Sequence, residues 1–339
     1  MRPPDAQSVC RTFGLGDAVG RVRPLPGLSS AGVWELDTVD GGWVVKAVRP
    51  AGGWQLRSMR RAGELETAAY AAGVAMPRPV APRSADAVGL WTPLSDDDRF
   101  VRVSERLEGA PPSAPAEERL AAWLGRTVAA IARLALPGGQ TEPGAYDVHA
   151  RADWTRWLAE ATAADLLDRA GRQALSAAVT AATDVMTVAQ ATSPAFSLAH
   201  RDISAANVLI TPNGPVLLDF DHAGPEVPWW ELVHHTFLFA CRRLGDDPPV
   251  PGAVRTAVAA FAADGGEVGP ADPSAFAGLL RGMLEWTALS LWLALGHYTP
   301  GGPRPGPERR TAAAAHVREA SRVMPIIVDS LDEWSALLR

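Results

Sequence analysis

His200-Arg201-Asp202-Ile203-Ser204-Ala205-Ala206-Asn207 runs directly into Val208-Leu209-Ile210, the segment Thr211-Pro212-Asn213-Gly214, and then Pro215-Val216-Leu217-Leu218-Asp219. Two short apolar runs around an Asn-Gly signal predict a β-hairpin. Asn207 and Asp219 each lie six residues from Asn213, so antiparallel pairing is expected to bring an amide and a carboxylate together at the open end. Two such oxygen donors suit Mg²⁺, which takes few protein oxygens and completes its shell with water and phosphate. Asp202, five residues before Asn207, is left to accept or orient the proton of an attacking hydroxyl. His200 is expected to be structural, a partly buried imidazole bonded to nearby backbone.

One base beside two metal ligands is the arrangement that phosphoryl transfer requires. Upstream, residues 20–48 read as strand, loop, strand, tight turn at Asp40-Gly41-Gly42, and strand. The loop Pro26-Gly27-Leu28-Ser29-Ser30-Ala31-Gly32 is small enough for its backbone N–H groups to approach phosphates, which makes Ser29 and Ser30 candidate nucleotide contacts. Gly42-Trp43-Val44-Val45-Lys46-Ala47-Val48 is an apolar strand interrupted by one lysine. That ammonium is expected to reach the α/β-phosphates and to be held by a carboxylate of the next helix, Glu64 being the expected partner and Glu66 the alternative. Phe100-Val101-Arg102-Val103-Ser104 alternates as a strand, and the crossover that follows, with Glu105 and Leu107, offers backbone groups to adenine. Gly14-Leu15-Gly16-Asp17 has no preceding strand and the wrong glycine spacing for a dinucleotide turn, so it reads as a helix stop. Beyond residue 110 the pattern turns helical, with apolar spacing from Leu120 to Leu134, a second helical region over 154–188, and Pro/Gly-rich loops at 137–143 and 301–307.

Composition limits the alternatives. A chain of 339 residues with 47% hydrophobic and 21% charged residues can bury a large core. A formal charge of −6 disfavours nucleic acid and permits a cationic substrate. Cys10 and Cys241 are too far apart and too few for a disulfide framework or a thiolate metal site. With no apolar signal region and no run long enough to span a bilayer, a cytoplasmic protein without a membrane partner is expected.

Together these motifs resemble the aminoglycoside phosphotransferase and choline kinase family, the small-molecule branch of the protein-kinase-like fold. The parts stand in that family's order: loop 27–32, Lys46, helix glutamate, Ala75-Met76-Pro77-Arg78-Pro79, crossover 105–109, catalytic hairpin. The resemblance implies an α+β, two-lobed fold, with a small antiparallel-sheet N-lobe at 1–104, a hinge at 105–109 and a helical lobe at 110–339. It implies ATP and Mg²⁺, with Asp202 as base and Asn207 and Asp219 as metal ligands. One departure is Arg201, where the family usually carries Gly. Asp219 is followed closely by Gly224-Pro225-Glu226-Val227-Pro228 and a helix near Trp229, with no Ala-Pro-Glu anchor, which disfavours an ordinary protein kinase. The expected acceptor is a hydroxyl of a small cationic molecule such as an aminoglycoside-like antibiotic or an amino alcohol, walled by Asp221, Trp229, Trp230, Glu231, Glu285 and Trp286. Two alternatives are a kinase of Ser/Thr hydroxyls in a precursor peptide and a nucleotide-binding pseudokinase, against which the intact Lys46, Asp202, Asn207 and Asp219 argue.

Overall fold

The computed structural model describes residues 2–25, 32–50, 52–94, 99–138, 149–192, 194–297 and 305–339. Ser29, Ser30 and most of the 27–32 loop lie outside the described residues, as do residues 139–143 and 301–304 of the two Pro/Gly-rich loops. The chain forms two compact units, one of Met1–Pro112, Leu134–Leu136 and Leu198–Gly224 and the other of Ser113–Arg133, Pro137–Ser197 and Pro225–Arg339. The fold is kinase-like, a small antiparallel sheet followed by a helical part.

In the first unit, helix α1 (Ala6–Phe13) is capped by Asp5, whose carboxylate accepts from Ser8 N–H at 2.8 Å. It ends at Gly14 in the left-handed region, φ +67°, where glycine carries no Cβ penalty, so the segment from Gly14 is a helix stop as expected. The sheet comprises β1 (Arg23–Pro24), β2 (Val33–Thr38), β3 (Gly41–Val48), β4 (Pro79–Val80), β5 (Thr92–Pro93) and β6 (Phe100–Glu105). Its order is β1-β2-β3-β6-β4, with β5 also on β6, and the pairings are antiparallel. Helix α2 (Gly53–Ala71) connects β3 to β4.

Period-two alternation divides this sheet into two chemically distinct faces. Trp43, Val45 and Ala47 of β3 and Val101 and Val103 of β6 join Val9, Phe13, Trp34 and Leu36 in an apolar core. Val44, Lys46, Arg102 and Ser104 take the opposite face. A slip of one residue would drive both cations into that core and expose valines worth roughly 2 kcal/mol each when buried, so the register is tightly specified.

The predicted hairpin forms from strands Val208–Thr211 and Gly214–Leu217. Its register differs from a count made outward from Asn213. Thr211 faces Gly214 and Val208 faces Leu217, so the turn is Pro212-Asn213 alone and Leu218, not Asp219, donates to Asn207 O at 2.8 Å. Gly214 adopts φ +115°, which lets the chain close one residue earlier.

The second unit contains α3 (Glu118–Ala132), α4 (Arg151–Ala163), α5 (Arg169–Ala191), α6 (Pro228–Ala240), α7 (Pro251–Ala263), α8 (Ala277–Leu295) and α9 (Pro307–Ser335). The helical region expected over 154–188 holds two helices, because Asp165 turns left-handed at φ +54° and Asp168 caps a new helix by accepting from Gly171 N–H at 2.6 Å. Helices α3 and α7 approach so closely at Gly125 that an added Cβ would lie 2.2 Å from Ala257 O. Phe237, Phe276 and Trp334 cluster within the unit, Phe237 stacked on Trp334 and edge-on to Phe276, with ring centroids 4.8 to 6.1 Å apart. Among the described residues no helix is long and apolar enough to cross a membrane.

Candidate active site

The first unit alone brings the hairpin motif and the strand cations together. His200 is fully buried, its Nδ1 accepting from Asp202 N–H at 3.2 Å while Nε2 lies 3.0 Å from Leu218 O. An acceptor role at Nδ1 assigns the proton to Nε2, so the neutral ring ties the loop before Asp202 to the strand before Asp219. Burial lowers the His200 pKa to about 4, which keeps it neutral. The ring also meets Phe220 edge-on at 4.6 Å.

Asn207 spends its amide nitrogen on Asp202, donating at 2.8 Å to the carboxylate Oδ2 and at 3.0 Å to the backbone carbonyl. The bond fixes the Asp202 carboxylate and leaves the Asn207 side-chain oxygen to act as an acceptor or metal ligand. Burial pushes the Asp202 carboxyl upward, and the nearby Asp219 charge adds to this. Asp219 sits at φ +58° and Arg201 at φ +68°, the left-handed region that favours glycine. Such outliers concentrate where geometry is over-determined by the surroundings.

Lys46 and Arg102 are directly opposed in the β3–β6 register. Lys46 Nζ lies 2.9 and 2.8 Å from the two Asp219 oxygens and 2.6 Å from Asp221 Oδ2. Arg102 Nη1 lies 2.7 Å from Glu66 Oε2 and 3.2 Å from Asp221 Oδ1, and its guanidinium stands 5.5 Å from the Trp91 ring centre. Although burial opposes the Asp219 charge, Lys46 and Arg102 bring its pKa down to about 2. Burial likewise disfavours the charges of Lys46 and Arg102, and the facing carboxylates outweigh it and hold both cations protonated.

Glu64, expected to hold Lys46, is exposed on α2, whereas Glu66 is 3% exposed. The buried stripe of α2 runs Met59, Ala62, Gly63, Leu65, Glu66, Ala69, and a residue two positions from Glu66 points about 200° away around the helix. Glu66 in turn meets Arg102 rather than Lys46. Arg102 is the functional residue that sequence reasoning missed. The signal was present, since a charged residue alternating with Val101 and Val103 must face away from the core, as Lys46 does.

Lys46, Glu66, Arg102, Asn207 and Asp219 line a cavity of about 630 Å³, a size suited to a nucleotide. Leu25, Val33, Val44, Met76, Leu209 and Leu217 give it an apolar slot beside the charged groups. Glu105 and Leu107 of the crossover line it too. Glu105 N–H is already donated to Arg78 O at 2.9 Å. Two hydrogen bonds between Ala110 and Ile210 fasten the crossover to the hairpin. Among the described residues no three His, Cys, Asp or Glu side chains form a metal cage. The donors that fit a hard cation are the Asn207 oxygen and the ionised Asp219, a set that suits Mg²⁺ carried with phosphates.

The expected acceptor wall divides differently. Asp221 belongs to the charge array of the first unit. Trp229 and Trp230, expected to wall a cleft, are instead packed in the interior of the helical unit at 3% and 5% exposure, and Trp229 Nε1 donates to Pro270 O at 3.0 Å. Their helix is apolar nearly all round, which buries both rings. Glu231 is buried near His235, 3.9 Å away, and Glu226 pairs with Arg281. Glu285 is half-buried, and Trp286 stands 54% exposed with its ring against His316.

A model of the phosphotransferase enzyme family (APH) matches residues 21–277. No curated protein matches the chain by sequence. Among solved structures, a spectinomycin phosphotransferase in complex with ADP and spectinomycin superposes with a TM-score of 0.64 at 14% identity, covering 96% of this chain and 98% of that one. An aminoglycoside phosphotransferase from Alicyclobacillus acidocaldarius has a TM-score of 0.59 at 14% identity, over 99% and 98% of the two chains. A microcompartment-associated aminopropanol kinase gives 0.59 at 18% identity, over 93% and 94%. At these identities the superpositions speak to the fold, while the family match spans most of the chain and includes Lys46, Asp202, Asn207 and Asp219: the chain belongs to the phosphotransferase enzyme family.

Proposed function

We propose that this phosphotransferase moves the γ-phosphate of ATP to a hydroxyl of a small molecule, with Mg²⁺ as cofactor. The observation that carries the reading is the Asn207–Asp202 hydrogen bond set beside the Lys46–Asp219 pair at one cavity. Adenine fits the apolar slot between Val44 and Leu217 and meets the backbone near Leu107. Lys46 supplies positive charge to the phosphates. Asn207 and Asp219 would hold Mg²⁺, which neutralises phosphate charge when bound. Asp202, oriented by Asn207, accepts the proton of the acceptor hydroxyl as its oxygen attacks phosphorus, and its raised pKa brings it nearer the range useful to a general base.

Small-molecule acceptors are favoured by structural relatives solved with spectinomycin and with amicoumacin and by the aminopropanol and ethanolamine kinases. Two acidic residues near the expected acceptor wall are already paired, Glu226 with Arg281 and Asp221 with Lys46 and Arg102. ADP release with Mg²⁺·ATP should be measured across hydroxylated antibiotics, amino alcohols and Ser/Thr peptides, with mass analysis of the product. A gain of about 80 Da on a small molecule supports the proposal. Turnover confined to peptides would overturn the acceptor class, and no ATP turnover or binding would overturn the kinase.

A further inference from the structure

From α2 to β3 the charges alternate without a break: Glu66, Arg102, Asp221, Lys46. Lys46 and Arg102 face each other across two paired strands, where like charges repel. Asp221 meets both, Oδ2 at 2.6 Å from the ammonium and Oδ1 at 3.2 Å from the guanidinium. Asp219, by contrast, offers Lys46 the same two oxygens that a metal would need. If Asp219 were given over to Mg²⁺, Asp221 would be the carboxylate left to pair with Lys46.

We infer that Asp221 is the residue that orients Lys46 toward the nucleotide phosphates, and that Arg102, pinned by Glu66, holds Asp221 for that purpose. The helix glutamate therefore acts on the lysine at second hand, through a guanidinium, and Asp221 serves the nucleotide rather than the acceptor. This assignment rests on the ATP reading above.

The test is direct binding of ATP with Mg²⁺ to the full chain, read alongside thermal unfolding. Asp221→Asn keeps the shape of a side chain that is only partly buried, and should weaken ATP binding about five- to tenfold, the loss of one charge-assisted contact. In a Lys46→Met background the same substitution should change affinity by less than about twofold, because both act through one interaction. Raising Mg²⁺ should not restore Asp221→Asn. Arg102→Lys should retain more affinity than Arg102→Met, and the pair Arg102→Met with Glu66→Leu, which strands no buried charge, should reproduce the Asp221→Asn loss in a folded protein. Full additivity with Lys46→Met, rescue by Mg²⁺, or an unchanged Asp221→Asn would each overturn the inference while leaving the kinase reading intact. A wild-type chain that binds no ATP would overturn both.

Discussion

Asp202 and His200 sit two positions apart and do opposite things with a proton. In the proposed mechanism Asp202 takes one, and Asp202→Asn should leave Mg²⁺·ATP binding nearly unchanged while cutting turnover by about two orders of magnitude, as measured by steady-state kinetics on whichever acceptor the screen returns. His200 is built to refuse one. Its folded pKa of about 4 lies below the ordinary 6.5, so between those values the unfolded chain binds a proton that the native chain does not. Stability is therefore full above about pH 6.5 and falls as the pH drops toward 4, by about 3 kcal/mol from this ring. Denaturant titrations at about pH 7 and about pH 4.5 should show that fall, and His200→Gln should remove most of it; the half-buried His316, also lowered by burial, accounts for a smaller residue. Asp219 adds a loss of the same sign in a lower window, from about 3.8 down to about 2.

At the scale of elements, glycine positions decide how closely segments approach. Gly125→Ala in α3 would set a methyl against the α7 backbone, so a loss of about 2 kcal/mol or more is expected in chemical unfolding, against the small gain that alanine usually brings to a helix interior. On α2, Glu66→Gln should lower stability and ATP affinity together, whereas Glu64→Gln should be nearly silent; the reverse result would restore Glu64 as the inward carboxylate. Here the limits of sequence reading are visible. The alternation in β3 and β6 and the residue types of the hairpin were legible, because period two and turn chemistry are local properties. Which helix glutamate faces inward was not, since it depends on the phase of α2, and its apolar stripe is diluted by Gly63 and by alanines. The one-residue shift of the hairpin escaped for a similar reason, a glycine closing the turn earlier than symmetry suggests. The partnership of Arg102 with Glu66 and Asp221 joins residues 36 and 119 positions apart, and no local pattern announces it.

On the scale of the whole molecule, binding of Mg²⁺·ATP to the native chain alone should raise its stability by about 2.7 kcal/mol at a hundredfold excess over Kd, seen as a thermal shift that disappears in Asp219→Ala. Membership of the phosphotransferase family was within reach of the sequence, because its motifs are local. Residues 198–224 follow a long run of the helical unit, yet they belong with the sheet, fastened by Ala110 and Ile210. The unit that holds Lys46, Asp202, Asn207 and Asp219 is thus not a stretch of gene that recombination could lift out as a cassette. A fragment ending at Pro112 would carry Lys46 without the two aspartates that neutralise it and leave Arg102 with Glu66 alone, so lineages that diversify this scaffold are expected to inherit this unit whole and to vary the helical unit.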